Sequence, residues 1–122
     1  MIELMQALQA MFQEVTKESY LEWNNAKVVK YPYLTYSIDI EEISRHTDGF
    51  YLDIDLFDNN SSFINLYELE ELLRQKFDYE IKFTDGLFLR SYFQRSNKVP
   101  TLDDNIKRRS LQIYCKVDWR NK

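Results

Sequence analysis

The run at residues 50–57 constrains this chain more than any other stretch. Phe50, Leu52, Ile54 and Leu56 alternate with Tyr51, Asp53, Asp55 and Phe57. Alternation with a period of two predicts a half-buried strand, because successive strand side chains point to opposite faces. One face of such a strand must be covered, so the chain needs partner strands and a layer packed over them.

Two further patterns supply the partners. Leu34, Tyr36, Ile38 and Ile40 alternate with Thr35, Ser37, Asp39 and Glu41, and Leu111, Ile113, Cys115, Val117 and Trp119 alternate with polar neighbours at 107–119. Residues 87–96 read as a further strand, with Arg90 and Tyr92 on the face of Phe88. Val28 and Val29 stand in an ambiguous stretch that could open a short strand. The sequence His46-Thr-Asp-Gly49 reads as a hairpin turn, since Asp-Gly suits a tight turn that needs positive φ. Thr84-Asp-Gly86 reads as another turn, and residues 97–104, with Pro100, as a connector.

Two stretches repeat instead at helical spacing. Residues 2–15 place Met5, Leu8, Phe12 and Val15 on one face; residues 62–79 place Leu66, Leu69, Leu73 and Phe77 together, with Glu68, Glu71 and Arg74 outside. The expected fold is therefore α+β: a four-stranded, mainly antiparallel sheet with two helices packed on one face, in the order α-β-β-α-β-β. A chain of 122 residues is the size of one domain, expected over residues 1–122.

Composition narrows the function classes. Nine Tyr, eight Phe and two Trp are too much aromatic surface for a disordered chain. One cysteine and one histidine, Cys115 and His46, leave no disulfide framework and no Cys/His metal cluster. No apolar run reaches the ~20 residues of a membrane span, and the N-terminal residues lack a basic segment before an apolar one. A soluble protein made in a cytoplasm, with no membrane partner, is expected. Two glycines cannot build a phosphate loop or a dinucleotide fingerprint.

The remaining chemical motifs point to structure. Asp53-x-Asp55 resembles the start of a calcium loop, but the sixth position is Asp58 where the loop needs Gly, and the twelfth is Ile64 where it needs Glu. Cys115 shares its strand face with core residues and reads as a buried thiol. Adjacent carboxylates such as Glu41/Glu42 diverge on a strand and form no acid–base pair. No catalytic residues, cofactor or metal are expected.

Charge is uneven. Residues 1–60 hold 4 Lys/Arg and 11 Asp/Glu, a balance of −7; residues 61–122 hold 12 and 9, a balance of +3. Arg90, Arg95, Lys98, Lys107, Arg108 and Arg109 form the one basic cluster. It reads as a phosphate-binding patch, a surface for an acidic partner, or a solvated edge.

Three stretches together resemble the tail terminator (tail completion) proteins of tailed phages and prophages. They are Tyr31-Pro-Tyr-Leu-Thr-Tyr-Ser-Ile, Asp48-Gly-Phe-Tyr-Leu-Asp-Ile-Asp-Leu-Phe-Asp-Asn-Asn-Ser-Ser, and Phe93-Gln-Arg-Ser-Asn-Lys-Val-Pro-Thr-Leu-Asp-Asp-Asn-Ile-Lys-Arg-Arg. The resemblance covers essentially the whole chain and rests on diffuse structural patterns. It implies a non-enzymatic virion protein that assembles as a hexameric ring on the tail tube. Such a ring stops tube growth, presents a surface to the head's connector protein, and lets DNA pass through its lumen without specific binding.

A ring needs a heterologous contact, one face of a subunit against a different face of its neighbour. The acidic residues Asp53, Asp55 and Asp58 and the basic Arg90, Arg95, Lys98, Lys107, Arg108 and Arg109 are the interface candidates. Acidic residues on an inner wall would also repel passing DNA. Three alternatives stand beside this reading: a head-completion or stopper connector protein, a small nucleic-acid-binding protein using the basic 90–109 cluster, and a small enzyme with a site built from distant residues.

Overall fold

In the computed structural model, which describes residues 1–120, the alternating run at 50–57 lies at the centre of a sheet. The elements are α1 (Ile2–Val15), β1 (Ser19–Leu21), β2 (Tyr33–Ser44), β3 (Thr47–Asn59), α2 (Ile64–Phe77), β4 (Glu80–Phe83), β5 (Leu87–Val99) and β6 (Ile106–Trp119). The strand order is β1-β2-β3-β6-β5-β4. β1 runs parallel to β2 and every other pairing is antiparallel. The expected four-stranded sheet is thus corrected: the sheet is six-stranded and mixed, and it curls into a half-barrel.

The two strands that sequence pattern missed are the edge strands. β1 has three residues and buries Ser19 rather than an apolar side chain. β4 has four residues, and its apolar pair, Ile81 and Phe83, is 55% and 62% exposed. Neither is long enough to show alternation, and each gains its place from backbone pairing to a longer neighbour. Val28 and Val29 lie outside any strand and are exposed.

The long strands follow their patterns. Leu52 pairs with Ile38 on β2 and Ile113 on β6, so the core faces of three strands meet at one level. Leu34, Tyr36, Phe50, Ile54, Leu56, Leu89, Leu111, Cys115 and Val117 join it, and α1 and α2 cover this face. Leu66, Leu69, Leu73 and Phe77 are the buried stripe of α2, as their spacing predicts. On α1 the buried stripe is Leu4, Ala7, Leu8, Met11 and Phe12; Met5 and Val15 sit at its margin, so the helix is rotated from the expected face. Phe12 stacks on Tyr36 at 4.2 Å and meets Phe77 at 4.9 Å, joining α1, β2 and α2 through one ring.

Three boundaries differ from the sequence reading. Helix α2 ends at Phe77 because Tyr79, with φ 55°, takes the left-handed conformation that turns the chain into β4. β5 runs on through Val99, so the connector begins only at Pro100. The hairpin between β2 and β3 turns at Arg45 and His46, while Asp48 and Gly49 lie inside β3, opposite Glu42 and Glu41. Gly49 has no positive φ. It serves close approach instead: a Cβ there would stand 2.6 Å from both the Tyr114 hydroxyl and Ile43 Cδ1.

Candidate assembly surface

With both helices on one face, the other face of the sheet has no helix or strand layer over it among the described residues. Its residues fall in cross-strand rows fixed by the register. One row is Ser37, Asp53, Gln112, Arg95; the next is Asp39, Tyr51, Tyr114, Tyr92; the next is Glu41, Gly49, Lys116, Arg90. The strand order therefore turns the charge asymmetry of the sequence into a spatial one. β2 and β3 bring Asp39, Glu41, Asp53 and Asp55 to this open face, and β5 and β6 bring Arg90, Arg95, Arg108 and Lys116, with the acid Asp118 among them and paired to Arg90.

The sequence candidates separate by strand parity. Asp53 is exposed on the open face, where its Oδ1 accepts from Gln112 Nε2 at 3.1 Å. Asp55 is on the same face and is paired within the chain: Arg108 donates to its Oδ1 at 3.1–3.2 Å. That pair keeps side-chain exposures of 37% for Arg108 and 27% for Asp55. Asp58 is elsewhere. It is 3% exposed, with Oδ1 accepting the Asn59 N–H and Oδ2 accepting from Asn65 Nδ2. It clasps the end of β3 to the first turn of α2 and offers no surface to a partner.

The basic cluster is likewise divided. Adjacent strand residues face opposite ways, so Arg108 is on the open face and Arg109 on the helix face. Arg109 donates to Glu70 Oε1 at 2.8 Å and to Ser96 Oγ at 3.0 Å, and its guanidinium lies 4.9 Å from the Tyr67 ring. Arg109 and Glu70 keep only 11% and 16% side-chain exposure. Lys98 and Lys107 approach the Phe63 ring at 5.9 and 5.7 Å, and Lys107 also donates to the Asp104 carbonyl. Arg90 pairs with Asp118 Oδ2 at 3.0 Å, over the Phe88 ring. Arg95 is exposed beside the irregularity at 93–95 and enters no ion pair among the described residues.

The structure thus joins the two expected opposite-charge sets inside one subunit at a single pair, Asp55 with Arg108, and leaves Asp53 and Arg95 without an ion pair among the described residues. Asp39, Glu41 and Lys116 were not among the interface candidates of the sequence reading, and they too form no ion pair among the described residues. The signal that finds them is strand parity applied to every charge on β2 and β6. Asp39, Glu41, Ile43, Gly49, Tyr51 and Tyr114 line part of a shallow concavity of about 260 Å³ on this face. On the opposite side, the outer flank of α1 and Leu21 form an apolar groove of about 570 Å³.

Protonation follows burial. The Cys115 thiol is pushed up to about 12 by desolvation, which keeps it a neutral core group. Burial also raises the Tyr36 hydroxyl, which donates to Gln9 Oε1. Among the described residues no group of three or more His, Cys, Asp or Glu is placed to hold a metal ion. No helix among them is long and apolar enough to cross a membrane.

Comparison with protein-family models gives no match, and comparison with curated proteins gives none. Comparison of folds does. The chain superposes on a chain from a solved structure described as the virion of the native gene transfer agent (GTA) particle, with a TM-score of 0.73. The match covers 91% of this chain and 94% of that one, at 13% sequence identity. The two chains share a fold over nearly their whole lengths.

Proposed function

We propose that this chain is a non-enzymatic structural subunit of a tailed-phage or prophage virion. Its copies close the end of the tail tube as a ring and form the surface on which the head's connector docks. The observation that carries this reading is the near-complete, two-way fold match to a chain of a virion particle. The sequence resemblance to tail terminators supports the finer assignment. The open face adds a physical argument: a subunit with segregated signs across one sheet is suited to heterologous contact with its own copies. In the ring, tube protein and connector are the partners, and DNA passes without specific binding.

The nucleic-acid reading draws less support. The basic cluster is split between two faces of the sheet, and Arg90, Arg108 and Arg109 are each neutralised by a carboxylate of the same chain. Disruption of the gene in its producing phage tests the proposal. Electron micrographs of the lysate are expected to show separate heads and tails of uncontrolled length. Tails of normal length, with or without heads, would overturn the terminator assignment; normal-length tails beside emptied heads would move the chain to the stopper position.

A further inference from the structure

The two long outer strands of the sheet are only half covered. β1 pairs with β2 at Leu34, Thr35 and Tyr36, which leaves the outer edge of β2 without a strand over residues 37–44. β4 pairs with β5 from Phe88 to Ser91, which leaves its outer edge without a strand over 92–99. Among the described residues, no hydrogen bond from outside the strand pairings reaches the outer edge at 37–44, and on the other edge Asp78 Oδ1 accepts the Phe93 N–H. Open edges of this kind are templates for a further strand.

We propose that these two edges bind each other between copies, so that β5 of one subunit adds antiparallel to β2 of the next. Closure of the resulting chain of subunits rests on the ring reading above; the edge contact itself does not. Four observations select a second copy as the occupant. The open stretches are equal in length, eight residues each by the pairings above. Their charges are complementary: 37–44 holds Asp39, Glu41 and Glu42 and no base, and 92–99 holds Arg95 and Lys98 and no acid.

Strand direction is also right. β2 and β5 run antiparallel across the sheet, so subunits set side by side with all helices on one face bring β5 to β2 in antiparallel sense. Finally, the edges are stepped in complementary fashion. Within one subunit Ser37 and Arg95 share a row. Sliding the neighbour by four residues, ~14 Å at ~3.4 Å per residue, sets Arg95 opposite its Glu41, Asn97 opposite Asp39 and Val99 opposite Ser37. Tyr92 then meets Ser44, so β4 begins where the neighbour's β2 ends, and the neighbour's β1, whose last residue Leu21 pairs with Tyr36, ends where β5 ends. Both Arg95 and Glu41 are on the open face, so the parity of the two sheets agrees. The irregularities at 42–44 and 93–95 then leave 37–41 against 95–99 as the regular ladder.

Disulfide trapping tests this with the full chain. Opposed residues of an antiparallel pair stand at ~4.5–5.5 Å between Cα atoms, within disulfide reach. The variant carrying both Glu41→Cys and Arg95→Cys, oxidised at high protein concentration and low salt, is expected to give a ladder of dimer, trimer and higher covalent species. Each single variant, and Glu71→Cys with Arg95→Cys, should give none, and the buried Cys115 should not compete. Circular dichroism melts of all variants check that each is folded. Absence of a ladder above the controls overturns the proposal, as does a double variant that stops at dimer, which would mark a two-fold contact. A ladder containing only open chains, with no closed species in light scattering or micrographs, supports the edge contact and counts against the ring. Wild-type rings without a ladder do the reverse.

Discussion

The two faces of the sheet are made by the same strands and obey opposite rules. On the helix-covered face most residues are apolar and buried, from Leu34 through Leu52 to Val117, and the Arg109–Glu70 ion pair there is nearly enclosed. On the open face the residues are tyrosines and charges, sorted by sign across the sheet, and half-exposed. Alternation lets one strand serve both: Ile54 and Leu56 fix the fold while Asp53 and Asp55, between them, fix what the surface can meet. The covered face is specified by volume, the open face by charge and backbone.

The sharpest way to break that contrast is to cut into the covered face. Leu52→Ala removes a fully buried side chain between two neighbouring strands and is expected to cost about 3 kcal/mol, lowering the melting temperature by about 10 °C. Asp53→Ala, one residue away, should shift stability by less than about 0.5 kcal/mol in the same melts. Equal losses would mean that the open face is also core.

A smaller effect is expected at Arg109. Arg109→Met leaves the Glu70 carboxylate mostly enclosed without its cation, at a cost of about 2 kcal/mol in denaturant unfolding. Adding Glu70→Leu should recover most of that loss, since two apolar side chains of similar volume can replace a buried pair. If the double variant is as unstable as the single one, the pair is not what fastens α2 to β6.

Cys115 adds a pH dependence to the covered face. Its thiol is raised from 9.0 to about 12 in the folded chain. Between those values the unfolded state has released the proton and the folded state still holds it, so the unfolded state binds fewer protons and stability falls as pH rises. The loss is on the order of 1 kcal/mol by about pH 10. Melts of the wild type and Cys115→Ala across that range should converge as pH increases; parallel curves would show that the thiol is not shielded.

The covered face was almost fully legible in the sequence, since burial imposes the periodicity that pattern reading detects. The stripe Leu66, Leu69, Leu73, Phe77 and the alternation of β3 and β6 follow directly from it. β1 and β4 were not legible, because a three- or four-residue edge strand carries no period and is held by its partner's backbone. Asp58 reads in the sequence as one acid among three at the end of a strand; only the approach of α2 makes it a clasp. The open face was half legible. The sign imbalance between chain halves is plain in the sequence, but its sorting across the sheet depends on strand order, which places β6 between β3 and β5. Arg108 and Arg109 look like one cluster until the alternation of their own strand divides them.

That division yields a lower rung of effects. Arg108→Ala removes an ion pair in which both side chains are about a third exposed, and should cost about 0.5 kcal/mol, less at high salt. The contrast with Arg109, its neighbour in sequence, measures the difference between the faces with charge type held constant.

The smallest effect on stability is expected at the sheet edges. Glu41 and Arg95 have no ion pair among the described residues to lose, so Glu41→Arg and Arg95→Glu should leave the melting of a dilute sample within about 0.5 kcal/mol of the wild type. Their effect belongs to association: at raised concentration and low salt each single reversal sets like charges opposite each other and should lower the average mass by light scattering, while the double reversal restores it. Reversals that destabilise the dilute protein as much as Arg109→Met would show that these charges serve the fold of the subunit, and that the open face is no freer of intrachain duty than the covered one.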